Sequence, residues 1–266
     1  MSIQIVKHGS LEYLTAEGIS APHCFTTRFG GVSTGPLESM NIAIKLDESE
    51  ENVAKNFEIL SAAIGFDPAG LVLTHQTHSD IVRVVTRADC NGCIHRNYPE
   101  CDALVTKDPG VTLVVFTADC TPILLHDPVT GAVGAAHAGW RGTAAAIGAK
   151  TVEAMCREFG CDPANIRAAI GPNIGSCCFE TDADVPEAMI AAFGDEVRPF
   201  IRQVGSKFHL DLKQINALSL GRAGVQHIDI SCDCTKCQPN RFWSHRVTGN
   251  IRGSQGAIIS CKEEKE

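Results

Sequence analysis

Val111-Thr112-Leu113-Val114-Val115-Phe116-Thr117 decides the fold class, together with two runs downstream: Thr121-Pro122-Ile123-Leu124-Leu125-His126 and, after the Asp127-Pro128 turn, residues 131–137. The first run is apolar on both faces of an extended chain, the pattern of a strand covered on both sides. The next two read as its successors, joined by a proline turn. The third strand leads through Ala138-Gly139-Trp140-Arg141-Gly142 into a helical pattern from Thr143 to Phe159. Buried strands that give way to a helix place the chain in the mixed α/β class.

The same alternation extends outward. Residues 23–29 read as a strand ending in a turn at Gly30-Gly31. Residues 50–64 read as an amphipathic helix with Val53, Phe57, Leu60 and Ile64 on one face, stopped by Gly65. Strands at 70–75 and 81–86 flank a turn at His78. Helices are predicted at 184–193 and at 211–223, the latter opened by Asp211, and short strands near 241–246 and 256–260. No repeat, charge block or Pro/Gly/Ser-rich linker divides the chain. It reads as a single domain, 1–266, of mixed β-sheets flanked by helices.

The net charge of -8 over 266 residues argues against nucleic acid or an anionic membrane surface as the main partner. No run approaches the roughly 18 apolar residues of a membrane helix, and Met1 to His8 lacks the pattern of a secretory signal. The thirteen cysteines are many for this length. A secreted disulfide scaffold is usually short and signal-bearing, so a reduced, cytoplasmic setting is expected, with some thiols on metal. The sequence does not fix the oligomeric state and is compatible with a monomer.

His78, Cys120 and His137 are the leading chemical candidates. Two imidazoles and a thiolate make three ligands; a structural zinc closes with four, while a catalytic one keeps a position open. Their spacing carries no motif signal, and a lone core His or Cys is more often packing. Two details favour a site. Cys120 and His137 lie at strand ends, where α/β proteins place ligands. His137 also runs into a glycine-flanked turn whose backbone N–H groups and Arg141 could take an anion. Asp119 would be a general acid if burial raised its pKa, or else an orienting partner of His137 or His78. Arg28, before a Gly-Gly turn, and Arg141, between glycines, are the phosphate candidates, against a purely structural role for each. Glu180 and His75 are weaker candidates. Cys177-Cys178 lines a pocket or belongs to a tight turn with buried thiols. Two further clusters, Cys90-Asn91-Gly92-Cys93 with His95 and Cys101, and Cys232-Asp233-Cys234-Thr235-Lys236-Cys237, leave three readings open: a structural metal, metal-free loop thiols, or a disulfide.

Several segments together resemble one family. They are Thr27-Arg28-Phe29-Gly30-Gly31-Val32-Ser33, Gln76-Thr77-His78, Asp102-Ala103-Leu104-Val105-Thr106, Thr117 to Leu125, His137 to Gly142, Ile170 to Glu180, Asp211-Leu212 and Phe242-Trp243-Ser244-His245-Arg246. In this order, over about residues 24 to 260, they are similar to the YfiH family of polyphenol oxidases (laccase-domain proteins) and purine nucleoside phosphorylases. The resemblance implies a zinc ion on His78, Cys120 and His137. It implies phosphorolysis of adenosine, inosine, guanosine and methylthioadenosine, with adenosine deamination as a second activity. It also implies a fold distantly similar to a cytotoxic-necrotizing-factor deamidase, and a link to peptidoglycan-precursor editing. His245 stands where tyrosine is usual, and Thr77 where valine is.

Two other functions compete. A His2Cys set is also the core of blue-copper centres, which usually add an axial Met, so a copper-dependent phenol oxidase is one. The four methionines, at 1, 40, 155 and 189, do not adjoin the motifs, and the chain contains no His-x-His. The other is a metal-free hydrolase with Cys120 as nucleophile and His137 as base, acting on an amide or a peptidoglycan precursor.

Overall fold

In the computed structural model, which describes residues 3–94 and 99–262, residues 112–117 form an interior strand. The chain forms β1 (Ile3–His8), β2 (Leu11–Ala16), β3 (His23–Thr26), α1 (Glu50–Ile64), β4 (Leu71–Leu73), β5 (Val82–Val84), β6 (Ala103–Thr106) and β7 (Thr112–Thr117). It continues through β8 (Thr121–His126), β9 (Val133–Ala138), α2 (Trp140–Ala144), α3 (Ile147–Phe159), β10 (Arg167–Ile170), β11 (Glu180–Thr181) and α4 (Asp184–Phe193). β12 (Ile201–Val204), β13 (Lys207–Leu210), α5 (Leu212–Arg222), β14 (His227–Ile230), α6 (His245–Thr248) and β15 (Gln255–Ser260) complete it.

The strands build two six-stranded sheets, in the orders β1-β2-β3-β15-β7-β4 and β14-β10-β8-β9-β6-β5, and a small sheet β11-β13-β12. Both large sheets are mixed: β4 runs parallel to β7, β5 to β6 and β10 to β14, and the other pairs are antiparallel. The fold is a mixed α/β single domain, as the sequence predicts.

The period-2 alternation of the second sheet shows how the layers stack. Leu104, Leu124, Ala135 and Ala169 join Leu113, Val115 and Ile258 of the first sheet in one core, to which α1 adds Val53, Phe57 and Leu60. The intervening residues Val105, Ile123, Leu125, Ala136 and Ala168 pack with Ile147, Val152 and Met155 of α3 and Leu220 of α5. Gly134 lets α3 approach β9: a Cβ there would lie 3.2 Å from Met155 Sδ.

Local signals hold where they are self-contained. Ser49 accepts the Asn52 N–H at the start of α1, and Gly65 ends it at φ 89°. Asp211 caps α5 through the Gln214 N–H. Two expectations are corrected. The helix predicted from Thr143 to Phe159 is two helices, because Ala146 adopts a left-handed φ of 57° between α2 and α3. Thr143 Oγ accepts from Asn216 Nδ2 at 2.9 Å, which ties α2 to α5. The segment 241–246 is not a strand. Phe242 and Trp243 are buried by side-chain packing, with the Trp243 N–H on Gln255 Oε1 and its indole N–H on Met40 O, and a short helix comes next. No helix among the described residues is long and apolar enough to cross a membrane.

Candidate metal centre

Register brings the first two ligands together. In the β8–β9 pair, Thr121 lies opposite Ala138 and Pro122 opposite His137, so Cys120, just ahead of β8, meets the end of β9. His78 arrives from the turn after β4. One donor atom from each of His78, Cys120 and His137 lies within 4.8 Å of the others. The two imidazoles meet edge to face, 4.9 Å between centroids. His78 is exposed, Cys120 half-buried and His137 buried.

Asp102, fully buried, organises this geometry. Its Oδ1 lies 2.7 Å from His137 Nδ1, which directs Nε2 into the site. Its carboxylate also accepts the backbone N–H groups of Thr77, His78 and Ser79 and the Ser79 hydroxyl, at 2.7–3.2 Å. These bonds hold His78 at φ 61°, a region that costs a non-glycine residue free energy. Gln76 fixes the same turn to β7, donating to Phe116 O and accepting the Phe116 N–H. On the other side, Asp119, at φ 87°, accepts from Thr235 Oγ at 2.5 Å and from the Arg246 N–H at 2.6 Å, while its carbonyl takes the Ile174 N–H. Gly139 closes the cradle. A Cβ at that position would stand 2.4 Å from His78 Nδ1 and 3.4 Å from Cys120 Sγ.

The electrostatics call for a cation. Burial alone would raise the Asp102 pKa, but hydrogen bonds from His137 and Ser79 outweigh it and hold the carboxyl at about 2. Burial would lower His137, yet Cys120 and Asp102 push it up to about 9. Burial and the neighbouring His137 lower His78. A positive charge is thus stabilised between the thiol and the carboxylate, held by a proton on His137 or by a metal ion. Two imidazoles and a thiolate with one side open suit a borderline-soft divalent ion.

The open side faces a cleft of about 450 Å³. Ile42, Ile44, Leu73 and Phe116 supply apolar wall, and Gln76, Thr117 and Arg252 the polar groups. Arg252 is half-buried and donates to Gly253 O and Ser254 Oγ. Burial lowers its pKa, while Asp119 and Cys120 act to raise it.

The remaining sequence candidates fall elsewhere. Arg28 does not line the cleft: its guanidinium lies 3.8 Å over Trp243 and donates to Pro239 O and Glu38 O. Arg141 is exposed beside Trp140 and close enough to His78 to lower that imidazole further. The helix it opens is only five residues long. Asp119 bonds to neither histidine; Asp102 has the orienting role. His75 lines the cleft, and Glu180 is exposed, 3.7 Å from His209. Cys93 is on the cleft wall, Cys90 packs on the core and Cys101 is buried; among the described residues they form no ligand group, and His95 lies outside those residues. Sequence reasoning leaves out Asp102 and Arg252, whose signals are weak: an acidic residue directly before an apolar strand, and an arginine next to a glycine.

Comparison with known proteins gives the family. The model of the family described as multi-copper polyphenol oxidoreductase laccase matches residues 22–262. A purine nucleoside phosphorylase of Deinococcus radiodurans is 39% identical, over 94% of this chain and 92% of that protein. The purine nucleoside phosphorylase YlmD of Bacillus subtilis is 34% identical, over 90% and 88%. The crystal structure of the hypothetical protein YfiH of Bacillus licheniformis superposes with a TM-score of 0.91 at 32% identity, covering 98% of this chain and 99% of that one. YlmD from Geobacillus stearothermophilus gives 0.90 at 32% identity, covering 97% and 99%. With its model matched from residue 22 to 262 and its fold shared with YfiH and YlmD, the chain belongs to the multi-copper polyphenol oxidoreductase laccase family, the family of YfiH.

Proposed function

We propose that the protein is a zinc-dependent purine nucleoside phosphorylase, which converts adenosine, inosine, guanosine or S-methyl-5'-thioadenosine and phosphate to the base and the sugar-1-phosphate. The carrying observation is the meeting of His78, Cys120 and His137 at a cleft of nucleoside size. The names of relatives 34–39% identical support the reaction class. Bound there, zinc would supply Lewis acidity with a net charge of about one.

The chain's own residues do the rest. Phe116, Ile42 and Leu73 take the purine. The Thr117 hydroxyl is buried behind the cleft wall without a hydrogen-bond partner among the described residues. Arg252, with Arg141 near His78, holds phosphate for attack on C1′. The purine leaves as its anion or after protonation at N7. Asp119 is not that acid in this reading, because both of its oxygens already accept hydrogen bonds. It positions Cys120, and Arg28 positions the loop it pins. Adenosine deamination, in which water attacks C6 of the purine and ammonia leaves, is a second activity. All thirteen cysteines are unpaired, which suits a reducing cytoplasm.

One observation favours a second reading. Asp102, His137 and Cys120 stand in the order of a Cys-His-Asp hydrolase, whose substrate would be an amide such as a peptidoglycan precursor. Phenol oxidation on copper has less support. The described residues gather one His2Cys set and one all-thiolate set, with no methionine on the cleft.

Metal-replete protein would be incubated with adenosine, with and without phosphate, beside Cys120→Ala, and the products separated by chromatography. Phosphate-dependent adenine and ribose-1-phosphate, lost in the variant, are expected; inosine would report deamination. No base from folded, zinc-loaded protein would sink the phosphorylase. Thiol alkylation that inactivates where chelation does not would move the assignment to the hydrolase.

A further inference from the structure

We propose that Cys177, Cys178, Cys234 and Cys237 form a second metal site, a mononuclear tetrathiolate centre for zinc that fastens two loops beneath the first. The inference is independent of the phosphorylase reading.

Topology explains how residues so distant in sequence meet. β10 and β14 are parallel neighbours, Ile170 opposite Ile230, so the loops after them leave the sheet side by side. The loops stay paired at Asn173 and Cys234, with the Thr235 N–H on Asn173 O at 2.9 Å. One loop brings the adjacent pair Cys177-Cys178, the other Cys234 and Cys237 with Thr235-Lys236 between them. All four sulfurs lie within 4.8 Å of one another. Cys237 Sγ is 3.6 Å from Cys177 Sγ and 3.4 Å from Cys178 Sγ. Sulfurs on one tetrahedral zinc, with Zn–S of about 2.3 Å, stand roughly 3.8 Å apart. A disulfide needs about 2 Å, and a cluster of bridged irons would push its thiolates farther apart. The spacing therefore matches a single ion.

The surroundings fit a negatively charged thiolate group. The Gly175 N–H donates to Cys234 Sγ at 3.2 Å. A Cβ on Gly175 would stand 3.2 Å from Cys234 Cβ and 3.4 Å from Cys177 Sγ, so the backbone approach needs glycine. Lys213, buried, donates to Asp233 O at 2.7 Å and brings its charge beside the loop. Cys232, the other thiol of that loop, is exposed and outside the group. Cys177 and Cys237 face solvent, which gives an ion a way in.

The two loops also hold the turn before Cys120. Thr235, between two of the thiols, donates to Asp119 Oδ1, and Ile174, next to Gly175, donates its N–H to Asp119 O. An ion that ties the loops together keeps Asp119, and with it Cys120, in place.

The test is metal content of the full chain, purified with reductant and reconstituted with zinc. The untouched chain is expected to hold two equivalents, Cys120→Ala/His137→Ala one, and Cys177→Ser/Cys237→Ser one. Cobalt in Cys120→Ala/His137→Ala should give the intense thiolate-to-cobalt absorption of a tetrahedral thiolate site, absent once Cys177 and Cys237 are also serine. Alkylation with mass readout keeps the test open if a variant fails to fold: in the unsubstituted chain the four thiols should be protected until a chelator is added. No ion retained by reconstituted Cys120→Ala/His137→Ala, or four thiols equally labelled before and after chelation, would overturn the proposal. So would a chain lighter by the hydrogens of a disulfide among these cysteines that still takes up no second ion after reduction.

Discussion

His137 donates from Nδ1 to Asp102 at 2.7 Å, and its backbone N–H donates to the carbonyl of the same residue at 2.7 Å. The Asp102 carboxylate also collects the backbone of the His78 turn. One buried side chain thus sets the positions of two ligands that come from different sheets. Asp102→Asn keeps the volume but replaces an acceptor oxygen with an N–H2 that faces donors. It should weaken binding of the first-site metal by about 10- to 100-fold and lower stability by about 3 kcal/mol. Chelator competition and urea unfolding read the two effects; unchanged affinity would remove Asp102 from the site.

Gly139→Ala tests the cradle itself. The new methyl meets the His78 ring at 2.4 Å, so His78 or the backbone must move. The expected result is loss of first-site metal with the four-thiol group still loaded and the fold retained. Metal content and circular dichroism measure this, and a fully loaded first site would show that the turn yields without cost.

The arginines separate substrate binding from scaffolding. Arg252 lines the cleft, so Arg252→Gln should raise KM for phosphate about tenfold or more, as loss of a charge-assisted hydrogen bond to an oxyanion does. Its melting temperature should barely change. Arg28→Ala should do the reverse, costing about 1–3 kcal/mol of stability because Pro239 O and Glu38 O lose their donor and Trp243 its cation. Phosphate-KM assays and thermal melts on both variants decide; a large KM effect at Arg28 would return it to the phosphate site.

How much the sequence shows depends on the range of each interaction. α1 can be read to the residue, because apolar period and caps are local. β8 is equally legible from its all-apolar run between turns. The break at Ala146 is not, since Thr143-Ala144-Ala145-Ala146 contains no breaker and the tie of Thr143 to Asn216 of α5 is remote in sequence. Phe242-Trp243 has strand composition but buries its rings without joining a ladder. His78, Cys120 and His137 are legible as a set through the family motifs, whereas Asp102 gives little sign of its role until β6 and β9 are paired. Among the cysteines, spacing points to the Cys232-Cys234-Cys237 cluster, two of whose thiols join the group, and to the Cys90 cluster, which does not; Cys177 and Cys178 need the parallel β10–β14 pair to bring them in.

His126, at the far end of β8 from Cys120, carries a pH effect separate from both metal sites. It is buried, and its Nδ1 has no hydrogen-bond partner among the described residues. Burial first, and then the charge of Lys262, lower its pKa to about 4, against an opposing pull from Asp127. In the unfolded chain it takes up a proton near 6.5. Between these values the unfolded state binds more protons, so the favourable contribution is complete above about pH 6.5 and is lost as pH falls towards 4. The full loss is about 3 kcal/mol, at roughly 1.4 kcal/mol per unit. His126→Gln removes the proton uptake, so urea unfolding from about pH 7 to pH 4 should show a shallower fall for the variant than for the parent. Parallel curves would mean that His126 can protonate in place, with water or a shift of β8 solvating the imidazolium.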